Sequence, residues 1–181
     1  MYKIIIGIDP GAQGAITWAK VKDNKLTMWP EVVPMPKTFE EMNHFFMELG
    51  ADLSRIICFI EKVNVRPSDM HGGKAFGMMK LVKNFDRLKD AMKINNVGYI
   101  EVHPATWQNF LGLKLPKGQE EEKKDRKNRY KKVAQSQYPK IRCTLKNCDA
   151  LLLMTFGLRK LNEDIQYIMN NIPDVDRDLL F

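Results

Sequence analysis

Lys3-Ile4-Ile5-Ile6-Gly7-Ile8-Asp9-Pro10-Gly11-Ala12-Gln13-Gly14-Ala15-Ile16 is the stretch that decides the fold. An apolar run enters an acid, and a Pro-Gly turn follows at once. Residues 3–9 read as a buried strand, and Pro10 keeps Asp9 out of the helical region, extended at the strand's C-terminal tip. Two further acids stand in matching settings. Glu61 ends Arg55-Ile56-Ile57-Cys58-Phe59-Ile60-Glu61, and Asp149 opens Asp149-Ala150-Leu151-Leu152-Leu153-Met154. Brought together from such distant positions, three carboxylates make a site for a hard cation. In a basic chain that combination points to phosphodiester chemistry. Each acid also has a plainer explanation. Asp9 can be a turn former, Glu61 an acid leaving a strand beside Lys62, and Asp149 a favourable charge at a helix N-terminus.

The rest of the composition sets bounds. The chain has 181 residues, enough for one domain with a real core, here drawn as residues 1–165 with a tail over 166–181. Its formal charge is +7 and its pI about 9.3, which suits a polyanionic partner. Cys58, Cys143 and Cys148 lack CxxC spacing and read as reduced thiols, not as a disulfide framework or a zinc site. No apolar stretch is long enough to span a bilayer, and the chain enters its first strand without a signal-peptide core, so a cytoplasmic protein is expected.

The pattern continues as one α/β unit. Residues 14–22 and 26–34 read as two more strands in an antiparallel meander with the first. Thr38 caps a helix that carries Phe39, Met42, Phe45, Phe46 and Leu49 and stops at Gly50. Residues 55–61 are apolar almost throughout, as in a strand covered on both faces. Residues 67–73 form a turn-rich loop. Phe76, Met79, Leu81, Val82, Phe85, Leu88 and Met92 recur at helical spacing. A strand over 99–102, a short helix over 105–111, a mobile loop over 114–122, a basic helix over 125–138 and an apolar-faced helix over 146–160 complete the order.

In that order the residues resemble the RuvC-type Holliday junction resolvases, especially their phage-borne branch, within the ribonuclease H-like superfamily. The motifs are Ile8-Asp9-Pro10-Gly11 with Gly14-Ala15, Ile60-Glu61-Lys62-Val63, Phe76-Gly77, Val102-His103-Pro104 with Trp107, and Cys148-Asp149-Ala150-Leu151-Leu152. The resemblance implies an α/β fold, a ribonuclease H-like mixed five-stranded sheet flanked by helices. It also implies a metal-dependent endonuclease that resolves branched DNA by symmetric nicking. Asp9, Glu61 and Asp149 would be both metal ligands and catalytic residues. Mg²⁺ would serve, with Mn²⁺ as a substitute, at two ions roughly 3.5–4 Å apart.

The chain departs from the family where a fourth polar residue usually precedes the last acid, because Lys146 stands there. Lys146 is carried as a catalytic candidate. It could steady the scissile phosphate, leave Asn147 or another residue to complete the second metal, leave that metal weakly held and the enzyme slow, or simply be exposed. The basic run supplies DNA-binding candidates: Lys117, Lys123, Lys124, Lys127 and Lys131, with Lys62, Arg66 and Lys74 nearer the acids; Val65 or Pro67 could wedge between bases. A four-way junction partner implies a homodimer, for which the helix bearing Met78, Met79, Val82, Phe85 and Met92 offers surplus apolar surface. Two other classes stand beside this one. One is a non-catalytic junction binder. The other is an actin-like or sugar-kinase-type phosphotransferase, which lacks support from a second lobe or a second Gly-rich loop.

Overall fold

The computed structural model describes residues 2–23, 25–50, 55–65, 74–116 and 118–171, without the side chains of Lys74 and residues 165–171. The described elements are β1 (Ile4–Ile8), β2 (Ala15–Lys22), β3 (Lys25–Leu26), β4 (Glu31–Pro34), α1 (Phe39–Glu48), β5 (Ile56–Glu61), α2 (Lys74–Ile94), β6 (Gly98–Val102), α3 (Pro104–Phe110), α4 (Lys123–Gln137) and α5 (Cys148–Asn171). The sheet runs β3-β2-β1-β5-β6, with β4 also paired to β2. β1 is antiparallel to β2 and parallel to β5, and β5 is parallel to β6, so the sheet is mixed.

The meander differs from its sequence reading. One strand over 26–34 was expected, but that segment is split into β3 and β4, giving six strands instead of five. Pro30 has no N–H for a ladder, and Thr27 turns both its N–H and its hydroxyl onto the Lys20 carbonyl. α1 starts as the sequence indicates: Thr38 and Glu41 form a reciprocal capping box. α5 does not end near residue 160 but continues to Asn171.

Strand periodicity sorts the core onto two faces. Ile4, Ile6, Ile8, Ile56, Cys58 and Ile60 point to the side covered by Met42, Phe45 and Phe46 of α1 and Phe85, Leu88 and Met92 of α2. Ile5, Ile57 and Phe59 point to the other side, against Trp107, Tyr130 and the apolar face of α5. Phe85 and Met92 are therefore core residues, a correction to their place in a surplus apolar face. Phe76 and Met79 on the first half of α2 are 67% and 60% exposed.

α5 lies directly on β1. A Cβ at Gly7 would come within 2.3 Å of the Ala150 carbonyl oxygen and 2.5 Å of the Met154 nitrogen. The buried Thr17 hydroxyl, on the neighbouring β2, donates to the Ala150 carbonyl at 2.9 Å and tethers the first turn of α5 to the sheet. Farther along, Gly157 receives the Phe59 ring, where a Cβ would meet a ring carbon at 2.2 Å. The absent side chain at Gly7 thus sets the helix-to-strand spacing beside Asp9.

Gly7→Ala should cost about 3 kcal/mol of stability, at the upper end of overpacking penalties, because the obstruction is backbone and not a movable side chain. Gly98→Ala, whose Cβ would meet its nearest neighbour at 3.5 Å, should be far milder. Urea unfolding of both variants measures the difference.

Candidate active site

Parity carries both strand acids to one face. Ile5, Gly7 and Asp9 alternate on the α5 side, as do Ile57, Phe59 and Glu61. β1 and β5 are parallel and in register, Ile8 opposite Ile60, so Asp9 and Glu61 emerge side by side at the C-terminal end of the sheet. Asp149, in the first turn of α5, reaches the same end because α5 rests on Gly7. All three line one cleft of about 660 Å³, together with Lys62, His103, Lys123, Arg126, Lys127 and Tyr130.

Each acid is held differently. The Asp9 carboxylate accepts the Gly11 N–H at 3.0 Å, and Gly14 packs against it so closely that a Cβ there would lie 2.9 Å from the Asp9 carboxyl carbon. The turn itself closes through Gly14 N–H to the Gly11 carbonyl, and Asn84 of α2 donates to the Pro10 carbonyl. Glu61 accepts the indole N–H of fully buried Trp107 at 2.9 Å. Trp107 packs edge-on against Tyr130 of α4. Asp149 forms an ion pair with Lys127 of α4 and accepts from the Cys148 thiol at 3.3 Å.

The cluster is electrostatically loaded. Burial and the neighbouring Asp149 charge raise the Asp9 pKa above the usual carboxylate range. Glu61 is pushed up to about 7, first by burial and then by repulsion from Asp9 and Asp149, although the Trp107 hydrogen bond works against the rise. Burial acts to lower the Lys127 pKa, but the charge of Asp149 and the hydrogen bond to it outweigh burial, and the net shift is upward. Cys148 is pushed up to about 12 by burial and Asp149, so it stays a thiol. All three cysteines are buried and unpaired.

Among the described residues, no three His, Cys, Asp or Glu side chains form a ready ligand set for one ion. The donors themselves are hard carboxylate oxygens on a shared cleft, and a cation already stands among them: the Lys127 ammonium. The chemistry of the site therefore fits a divalent ion, with Lys127 as its stand-in.

The remaining candidates separate by position. Lys62 and Lys123 line the cleft, joined by Arg126. Lys127 also lines it, but at the acids and not on an outer phosphate track. Lys124 is exposed away from the cleft, and Lys131 borders a different surface beside Asn128 and Ser136. Arg66, Pro67 and Lys117 lie outside the described residues, as does the side chain of Lys74. Val65 is exposed and borders a groove against Met78, Met79 and Val82. Lys146 is exposed on the turn before α5 and does not line the cleft. Asn147 is occupied locally, accepting from the Thr144 N–H and donating to the Arg142 carbonyl. Glu101 pairs with Lys89, and His103 caps α3 through Nδ1.

Trp107 is a site residue whose role the sequence reading did not assign; its place in the Val102-His103-Pro104 motif is the signal that could have found it. Arg129 is another surprise within the basic run. It pairs with Glu121 and donates to the Leu113 carbonyl at 2.6 Å, bracing the loop before α4.

The raised Glu61 pKa has a definite sign. Between the ordinary value of 4.5 and about 7, the folded chain keeps a proton that the unfolded chain has lost. Stability without divalent ions should therefore fall as pH rises through that window. Thermal unfolding from pH 4.5 to 7.5 should show this decline, and Glu61→Gln should flatten it.

No family model matches the chain, and no curated protein is similar to it in sequence. Solved structures do match. A Thermus thermophilus RuvC in complex with Holliday junction substrate aligns with TM-score 0.51 at 14% identity, covering 88% of this chain and 96% of that one. A second Thermus thermophilus RuvC structure aligns with TM-score 0.49 at 15% identity, covering 87% and 96%. At this identity the first likeness establishes the architecture: an α/β, ribonuclease H-like fold of the kind found in RuvC, with a mixed sheet between helices.

Proposed function

We propose that the chain is a metal-dependent, structure-selective endodeoxyribonuclease that nicks four-way junctions or other branched DNA symmetrically. The observation that carries this reading is the convergence of Asp9, Glu61 and Asp149 on one cleft rimmed by Lys62, Lys123 and Arg126. Asp9, Glu61 and Asp149 would hold Mg²⁺, or Mn²⁺ in its place. When bound, the metal supplies activation of water and stabilisation of the departing 3′ oxygen. Trp107 fixes one oxygen of Glu61, which lines the cleft. The Gly11 N–H and the bare Cα of Gly14 fix Asp9 in the same way. Lys123 and Arg126, one helical turn apart on α4, would take phosphates flanking the cut. The proposal assigns no step to Lys146. The motif set, more than the fold, favours the phage-borne branch and hence a host-cell cytoplasm. No described helix is long and apolar enough to cross a membrane.

Two symmetric nicks require two sites related by a two-fold axis, so a homodimer is part of the proposal. The exposed half of α2, with Phe76 and Met79 outward, supports that assembly. The Lys127–Asp149 pair gives the non-catalytic reading its one specific observation, since it shows the cluster partly neutralised from within.

End-labelled four-way junction incubated with Mg²⁺, beside linear duplex, is the deciding experiment. Wild type should cut the junction at paired positions and leave the duplex intact. Asp9→Asn, Glu61→Gln and Asp149→Asn should each abolish cutting while gel-shift affinity for the junction stays within a few-fold of wild type. Binding without cutting by wild type, in both Mg²⁺ and Mn²⁺, would establish the non-catalytic reading.

Junction affinity should also weaken steeply with salt, because each phosphate contact releases condensed counterions. Lys123→Ala and Arg126→Ala should each reduce the slope of log Kd against log salt by about one. Lys124→Ala and Lys131→Ala, on other faces of α4, should leave it nearly unchanged. Equal slopes for the two pairs would place the DNA path elsewhere.

A further inference from the structure

Lys127 is part of the acidic cluster instead of a member of a surface run. Its ammonium pairs with Asp149 Oδ2, with the two side chains only 25% and 11% exposed. Its charge also bears on Asp9 and Glu61, opposing in part the upward pKa shift that burial and the neighbouring acids impose on each. Lys123, Arg126, Lys127 and Tyr130 fall at helical spacing along the cleft side of α4. Tyr130 is buried and packs edge-on against Trp107, which itself holds Glu61. The backbone that carries Lys127 is therefore anchored to the site, and the movable part is the lysine stem. Beside it, Lys123 and Arg126 open onto the rim where phosphates would arrive.

We infer that Lys127 is a resident cation with two alternative partners: Asp149 in the free protein and a backbone phosphate of the DNA substrate in the complex. The inference rests on the nuclease reading for the second partner only. An ammonium on Asp149 Oδ2 denies that oxygen to a divalent ion, and its charge repels such an ion from the other two carboxylates. A phosphate that draws the ammonium away frees Asp149 and removes the repulsion at the same moment. Lys127 thereby couples substrate binding to metal binding. By linkage the coupling is reciprocal: the free protein holds metal weakly, and either event favours the other. The same ammonium also relieves part of the repulsion among the three carboxylates when neither metal nor DNA is present.

The test uses the free protein and Mn²⁺ alone, with free ion followed by electron paramagnetic resonance. Lys127→Met and Lys127→Gln should each bind Mn²⁺ about tenfold more tightly than wild type, within the range usual for coupled sites. Lys127→Arg, which keeps a charge able to pair with Asp149, should stay near wild type. Lys160→Met, which removes an equal charge from an exposed Glu163 and Asp164 pairing on α5, should do the same. Thermal melts confirm which variants are folded, and either neutral variant suffices. Superimposable curves for wild type and the neutral variants, or weaker binding in the variants, would overturn the inference. If Mn²⁺ cuts the junction with wild type while those curves coincide, the nuclease reading survives and the role of Lys127 does not. No Mn²⁺ binding by any variant up to millimolar ion would overturn both.

Discussion

The constraint on which the site depends is the contact between the first turns of α5 and the bare backbone of β1 at Gly7. Side chains ordinarily stand between a helix and the strand it covers; here the helix backbone fills the space a single Cβ would need. The Thr17 hydroxyl, donating to the Ala150 carbonyl, ties the two together from the next strand. Everything at the site follows from that spacing. Asp9 stands two residues beyond Gly7 on the same face, and Asp149 stands one residue before Ala150. Neither acid needs a long or adaptable side chain to reach the cleft, because the backbones bring them there. The burial that results is also what drives the Asp9 and Glu61 pKa values upward.

A site built this way works against stability in the free protein. Carboxylates brought together away from bulk water repel each other and lose hydration, and each must be compensated or protonated. The structure uses three kinds of compensation. A backbone N–H serves Asp9, an indole N–H serves Glu61, and a full positive charge serves Asp149. The gradation has a physical reason. A neutral donor fixes one oxygen and leaves the net charge of the cluster unaltered, whereas an ammonium makes it less negative by one unit. The strongest compensation is thus mounted on a flexible stem, while the acids on the strand tips are held by rigid groups that keep them in place.

Much of this was legible in the sequence, because strand ends and helix starts have local signatures. Asp9 before Pro10-Gly11, Glu61 at the end of an apolar run and Asp149 ahead of Leu151-Leu152-Leu153 each announce a chain end of an element. The two-residue period of Ile4–Ile8 and Ile56–Glu61 then puts Asp9 and Glu61 on a common face. The break between β3 and β4 was also within reach, since Pro30 interrupts any ladder through 26–34. Two things were not legible. Gly7 sits in a run that reads as a buried strand whatever occupies that position, and its role depends on a helix about 140 residues away in sequence. Trp107 reads as a core aromatic from its apolar surroundings, and only the tertiary fold reveals which acceptor its N–H finds.

The basic run between Lys123 and Lys132 shows most sharply where composition stops being informative. Read as a string, its cations are interchangeable and sum to one positive surface. Folded as α4, they do separate work according to helical phase. Lys123 and Arg126 open on the cleft, Lys127 turns inward to Asp149, and Lys131 and Lys132 border the far side. Arg129 is taken up by Glu121 and the Leu113 carbonyl, where its planar fork satisfies a carboxylate and a backbone acceptor together. Net charge therefore overstates the surface available to a polyanion. The buried face of the same helix, through Tyr130 and Ala134, fixes the phase in which all these groups are presented. A rotation of α4 by one residue would move Lys127 off Asp149 and carry Tyr130 away from Trp107, so apolar packing and the electrostatics of the cleft specify the same helix orientation.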